Sequence, residues 1–245
     1  MISGKAFSEV CHWVIDPRYP ERPRFSFAKS KDKDLIFING DYIDSFFESV
    51  PLVTNKRYYI IVHNSDRTFT QSKMDRFRRY IHHIYAINTD FTHPRLTTIP
   101  IGFVDSQLDF LSTFKPSCCE RDIEIYINFK PQHNSEKRLA CIAAFENNPN
   151  AVFRDRVSVS EYFNDLCRSK FVPCPEGTGI DTHRVYEAIL CGAIPVVLRN
   201  SLSQMYEKLP VCIVNTWSDR FYVPSNTSFE TNTNYYLHLQ RNEKL

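Results

Sequence analysis

The sequence predicts an α/β protein made of two Rossmann-like halves, and three observations carry that prediction. Short apolar runs bounded by turn residues alternate with helical patterns along most of the chain. An irregular stretch at 105–121, holding Pro116 and the adjacent Cys118 and Cys119, interrupts the alternation near mid-chain. Residues 171–198, FVPCPEGTGIDTHRVYEAILCGAIPVVL, read as strand, glycine-containing loop, helix, glycine stop and second buried strand, which is a complete βαβ unit. The domains are therefore expected to be 1–110, an N-terminal Rossmann-like domain with an extended arm, and 111–245, its C-terminal counterpart.

In chain order, residues 1–33 are rich in Pro and Arg and predict the arm, with a short helix at 7–14. Strands are expected at 35–39, 57–62, 84–87 and 97–101, with helices at 40–50 and 70–81. The second half opens with a strand at 123–129. Helices follow at 135–145 and 160–168, then the βαβ unit, a short helix at 201–208 and a strand at 211–214. Residues 224–245 are rich in Asn and Thr, with helical character expected after 233.

At 245 residues and 42% hydrophobic content the chain can bury a sizeable core. Thirty Lys plus Arg against 28 Asp plus Glu leave a net charge of +2 without a long basic run, so nothing calls for nucleic acid or an anionic membrane as partner. The eight cysteines show no CxxC spacing, and five of them lie in apolar stretches, which predicts free buried thiols rather than a disulfide frame. No apolar run is long enough to span a bilayer and no signal-peptide pattern is visible, so a soluble, cytoplasmic protein is expected.

The βαβ unit also carries the chemistry. With only six glycines in the chain, Gly177, Thr178 and Gly179 in one loop predict positive φ and close approach of backbone to a ligand. Asp181 stands at the expected N-cap, Thr182 and His183 open the helix, and Gly192 is placed to stop it. A helix N-terminus stabilises an anion, most often a phosphate. Arg184 offers a fork of donors to a diphosphate, and Glu187, three residues on, can accept from ribose hydroxyls. The same spacing is also that of a surface Arg184–Glu187 ion pair beside an ordinary cap. GTGIDT is neither a P-loop nor the dinucleotide fingerprint.

GTGIDTHRVYEAILCGAIPVVLRNSL (177–202) and MYEKLPVCIVNTWSD (205–219) resemble the C-terminal half of exostosin-like glycosyltransferases of the GT-B fold. YYIIVHNSD (58–66), YAIN (85–88), LTTIPIGF (96–103) and IYINFKPQHNSEKR (125–138) are similar to further blocks in the same order. The resemblance implies a GT-B arrangement with a cleft between the domains, donor side C-terminal and acceptor side N-terminal. It also implies a UDP-sugar donor, such as UDP-xylose, UDP-glucuronate or UDP-N-acetylglucosamine, and a glycan or glycoprotein hydroxyl as acceptor.

Such a transfer needs positive charge at the leaving diphosphate and, in the inverting reaction expected here, a base for the acceptor proton. Arg184, the helix N-terminus, Arg138 and Lys130 are candidates for the first task. Asp66, and after it His63, are candidates for the second, because HNSD follows a strand end where α/β sheets bind ligands; the same four residues also read as a turn or cap. A catalytically inactive nucleotide-sugar-binding partner of another transferase is the alternative. A non-glycosyl nucleotide-binding enzyme, such as a sugar-phosphate epimerase, would need YxxxK and GxxGxxG signatures that the chain lacks.

No tightly bound cofactor and no metal are expected. Asp32-Lys33-Asp34 has the letters of a metal-binding DxD but precedes its apolar strand instead of following it, and reads as a solvated turn. Turnover should therefore persist in EDTA; loss of activity in chelator with recovery on adding manganese would contradict this.

Overall fold

The computed structural model describes residues 1–50, 55–116 and 120–225. They form two compact units, Met1–Asp105 with Gly179–Asp181, and Ser106–Thr178 with the chain from Thr182 onward. The boundary thus falls at Asp105/Ser106 instead of 110/111, and three residues of the glycine loop group with the first unit.

In the first unit, β1 (Trp13–Ile15), β2 (Leu35–Asn39), β3 (Tyr58–His63), β4 (Ile81–Ala86) and β5 (Leu96–Thr98) form one parallel sheet in that order. Side chains alternate across a strand, so one set packs on each face. Ile36, Ile38, Ile60, Val62 and Ile84 meet Phe46 and Phe47 of α2 (Ile43–Ser49) and Met74 and Phe77 of α3 (Gln71–Phe77). Phe37 and Ile61 point to the opposite face and pack with Cys11, Val14 and Tyr19. Burial on both faces explains why these strands read as continuous apolar runs.

Residues 1–33 depart from the expected arm and helix. α1 spans Gly4–Glu9, capped by Ser3, and Trp13–Ile15 is an edge strand in register with β2, Trp13 opposite Ile36. The Trp13 indole N–H donates to Asp34 at 2.6 Å, and Asp32 accepts from the Arg57 backbone N–H at 2.7 Å, so both acids of the DxD tripeptide serve a turn. The helix expected at 70–81 ends at Phe77 and tightens into a 3-10 turn, Arg78–Tyr80, so β4 begins three residues before its expected start. Asn64 and Asn88, just past β3 and β4, take positive φ (62° and 53°), a conformation Asn tolerates better than most residues.

The second unit contains α4 (Leu108–Thr113), β6 (Ile123–Ile127), α5 (Ser135–Phe145), β7 (Ala151–Phe153), α6 (Val159–Arg168), β8 (Ser169–Pro173), α7 (His183–Leu190), β9 (Ile194–Leu198), α8 (Ser203–Tyr206) and β10 (Cys212–Val214). Neither α4, inside the stretch read as irregular, nor the three-residue β7 was expected from sequence. All five strands are parallel, in the order β10-β9-β8-β6-β7. The chain steps from β6 outward to β7, then returns across β6 to β8 and continues the other way. That reversal between β6 and β8 is a topological switch point, where open α/β sheets form a crevice beyond their strand C-termini.

Among the described residues six cysteines are buried and none forms a disulfide, and burial pushes the Cys11 and Cys141 thiols up to about 12. Cys118 and Cys119, and the helix expected after 233, lie outside the described residues. Among the described residues no helix is long and apolar enough to cross a membrane.

Candidate functional site

A pocket of ≈ 400 Å³ opens in the second unit at the C-terminal end of β6. The segment after β6 supplies Asn128, Phe129, Lys130 and His133, and α5 contributes Arg138. The start of α6 adds Ser158, Val159 and Tyr162, and the start of α7 adds Thr182, His183, Arg184 and Glu187. Helices following β6, β7 and β8 therefore meet at the switch point.

Two guanidinium groups dominate the pocket. Arg138 is buried; its Nε donates to the Glu176 carbonyl at 3.2 Å and Nη1 to the Lys130 carbonyl at 2.7 Å. Arg184 donates through Nη2 to the Asn128 carbonyl, and its Nε is buried without a hydrogen-bond partner among the described residues. Both lie against the Phe129 ring, with guanidinium carbons 5.7 Å (Arg138) and 5.3 Å (Arg184) from its centroid. Among the described residues neither arginine has a carboxylate within ion-pairing distance, so the Arg184–Glu187 pair that spacing allowed does not form. Each keeps one terminal nitrogen without an acceptor among the described residues, Nη2 of Arg138 and Nη1 of Arg184.

Burial and then the neighbouring Arg184 lower the pKa of Arg138. For Arg184, burial also opposes the charge, but the acidic groups around it, Tyr162, Cys174 and Glu187, outweigh burial and raise its pKa. Glu187 is itself buried, and its Oε2 accepts from the Tyr162 hydroxyl at 2.7 Å, while Oε1 has no protein donor among the described residues. The pocket thus offers donors to an anion and, apart from them, an acceptor to a hydroxyl.

The glycines act differently from the expectation. Positive φ does not occur at Gly177 or Gly179; it occurs at Gly192 (75°), where it ends α7. A Cβ on Gly177 would lie 2.9 Å from Arg138 Nη2, and one on Gly179 2.7 Å from Asn88 Nδ2, so lack of side-chain volume is what each position requires. Neither lines the pocket, nor does Thr178, whose hydroxyl donates to the His133 carbonyl at 3.3 Å.

Asp181 is not the N-cap. It belongs to the first unit, where its carboxylate accepts from the Ile101 N–H at 2.8 Å and its own N–H donates to Asn88 Oδ1 at 2.8 Å. Thr182 is the cap residue, and its side chain makes no cap hydrogen bond to α7. Of the ten residues expected at the donor, the pocket brings together Lys130, Arg138, Thr182, His183, Arg184 and Glu187.

His63 and Asp66 belong to the first unit. His63 is only 2% exposed, stacked near Phe7 and Phe37 (centroids 5.4 and 6.2 Å) with Nδ1 2.9 Å from Asn64 Oδ1, the setting of a packed core histidine. Asp66 is exposed and has no hydrogen-bond or ion-pair partner among the described residues. Sequence reasoning missed Asn128, Phe129, Tyr162 and Gln107, whose Oε1 is buried without a partner among the described residues. The position of Asn128 and Phe129 just past a strand was the available signal for the first two; the Ser158-x-x-Glu161 capping box marked the start of Tyr162's helix. No group of three or more His, Cys, Asp or Glu among the described residues could hold a metal ion.

The second unit is thus a parallel α/β domain with a cationic pocket at its switch point. Residues 107–217 match the family model described as the RXYLT1 C-terminal domain, and every residue lining the pocket falls inside that range. The family is xylosyltransferase-related, so the match fits a glycosyltransferase relationship. No curated protein matches the chain.

Replacing Asp181 with Ala should leave the buried Ile101 N–H without its carboxylate acceptor and lower stability by about 1–3 kcal/mol. Nucleotide affinity of the folded variant should stay at the wild-type value; denaturant unfolding with UDP titration checks both, and lost affinity at unchanged stability would return Asp181 to the binding site.

Proposed function

We propose that the chain is a glycosyltransferase that moves a sugar from a nucleotide-sugar donor, in the first place a UDP-sugar, to a hydroxyl of a glycan or glycoprotein. The observation that carries this reading is the pair of guanidiniums, Arg138 and Arg184, each with an uncommitted nitrogen and no carboxylate partner among the described residues. Cations held out of water without an ion-paired carboxylate are costly, and a diphosphate would offset that cost with charge-assisted hydrogen bonds. Glu187 Oε1 would accept from a ribose hydroxyl. Lys130 and the first turn of α7 add positive charge at the rim, where His183 also lies.

In the inverting transfer we propose, the acceptor oxygen attacks the anomeric carbon and the bond from that carbon to the diphosphate oxygen breaks. The electron pair leaves with the diphosphate, where Arg138 and Arg184 stabilise the developing charge without a metal. The acceptor proton passes to a base. Asp66 is proposed for this role, since it is exposed and uncommitted whereas His63 is packed between Phe7 and Phe37. The two units would adopt the GT-B arrangement, with the donor on the second and the acceptor on the first.

Arg184→Ala should weaken UDP binding on the order of tenfold to a hundredfold, the loss of charge-assisted hydrogen bonds worth roughly 1.5–3 kcal/mol. Glu187→Gln should cost less, since an amide oxygen still accepts a hydroxyl. Calorimetric titration of UDP into the folded variants checks both. Unchanged affinity in Arg184→Ala would overturn the diphosphate site, and tight UDP binding without sugar transfer to any glycan would point to a binding module.

A further inference from the structure

Tyr162 lines the pocket and contacts Glu187 there. It sits on the first turn of α6, whose start is fixed by a capping box: Ser158 Oγ accepts from the Glu161 N–H at 3.2 Å, and Glu161 Oε2 accepts from the Ser158 N–H at 2.8 Å. Its ring is held near Tyr126 and Phe163, with centroids 6.2 and 5.4 Å away. From that fixed position its hydroxyl donates to Glu187 Oε2 at 2.7 Å.

The arrangement has two consequences. A carboxylate on the helix carrying Arg184 would ordinarily be free to swing toward that guanidinium three residues away, yet no Arg184–Glu187 ion pair forms among the described residues. Tyr162 therefore holds the carboxylate away from the arginine and leaves one oxygen, Oε1, for a ligand. Burial and the Glu187 charge raise the Tyr162 pKa well above its usual value, which keeps the phenol a donor throughout the physiological range.

Resting on the diphosphate-and-ribose reading of this pocket, we propose that Tyr162 is a positioning residue that fixes Glu187 as an acceptor for the ribose diol and thereby makes the site selective for ribonucleotides over deoxyribonucleotides. The one available carboxylate oxygen has two lone pairs and can accept from both hydroxyls of a ribose; a 2′-deoxy ligand forfeits one of those two bonds, so an oxygen fixed toward the diol discriminates between them. A carboxylate free to rotate would find water or Arg184 instead.

The test is calorimetric titration of the full chain with UDP, 2′-deoxy-UDP and inorganic pyrophosphate. Wild-type protein should prefer UDP over 2′-deoxy-UDP by roughly tenfold, the scale of one hydrogen bond to a charged group. Tyr162→Phe keeps the ring and its contacts, and should bring that preference to about twofold or less while pyrophosphate affinity stays unchanged. Equal binding of UDP and 2′-deoxy-UDP by the wild type would overturn the ribose reading itself and the proposal with it. A preference abolished in Glu187→Ala but retained in Tyr162→Phe would overturn the role of Tyr162 alone. Weakening of all three ligands together in Tyr162→Phe would assign the tyrosine a merely structural part and would likewise overturn it.

Discussion

The second unit is organised by two guanidiniums, that of buried Arg138 and that of half-buried Arg184, which share one aromatic ring and, among the described residues, have no carboxylate to pair with. Arg138 and Arg184 come from different helices, and both lie within 6 Å of the Phe129 centroid. Burial first, and then repulsion from the like charge of Arg184, lower the Arg138 pKa. Backbone carbonyls of Asn128, Lys130 and Glu176 hold the pair in place without neutralising it. In the proposed reading the fixed guanidiniums would meet an anion with little reorganisation, the condition under which binding charge costs least.

Topology explains why the charges meet at this point. Parallel β6 and β8 are neighbours, but their outgoing connections run in opposite directions, and so the loops at their C-terminal ends diverge and leave a crevice. Gly177 follows from the same geometry: its missing side chain is the space taken by Arg138 Nη2. Substitution there would push the guanidinium out of place, which ties a loop glycine to the electrostatics rather than to backbone conformation.

Long, periodic elements were legible in the sequence. The βαβ unit stands out because its helix is amphipathic and ends at a glycine stop, and Arg184 with Glu187 could be singled out by their positions on that helix. What escaped was short or non-local. β1 and β7 have three residues each, too few for a period to declare itself, and are defined by the strands beside them. Asp181 has the residue type of a cap, yet its carboxylate is claimed by Ile101, eighty positions earlier, a contact that no local pattern encodes. Tyr162 reads as one more aromatic on an amphipathic helix until the fold places it beside Glu187.

The account stands on the diphosphate lying between Arg138 and Arg184. A crystal structure of the chain with UDP tests it most directly. The account predicts diphosphate oxygens within hydrogen-bond distance of both Arg138 Nη2 and Arg184 Nη1, with the ribose toward Glu187; UDP bound with its phosphates away from both arginines, or at another place on the chain, would contradict it.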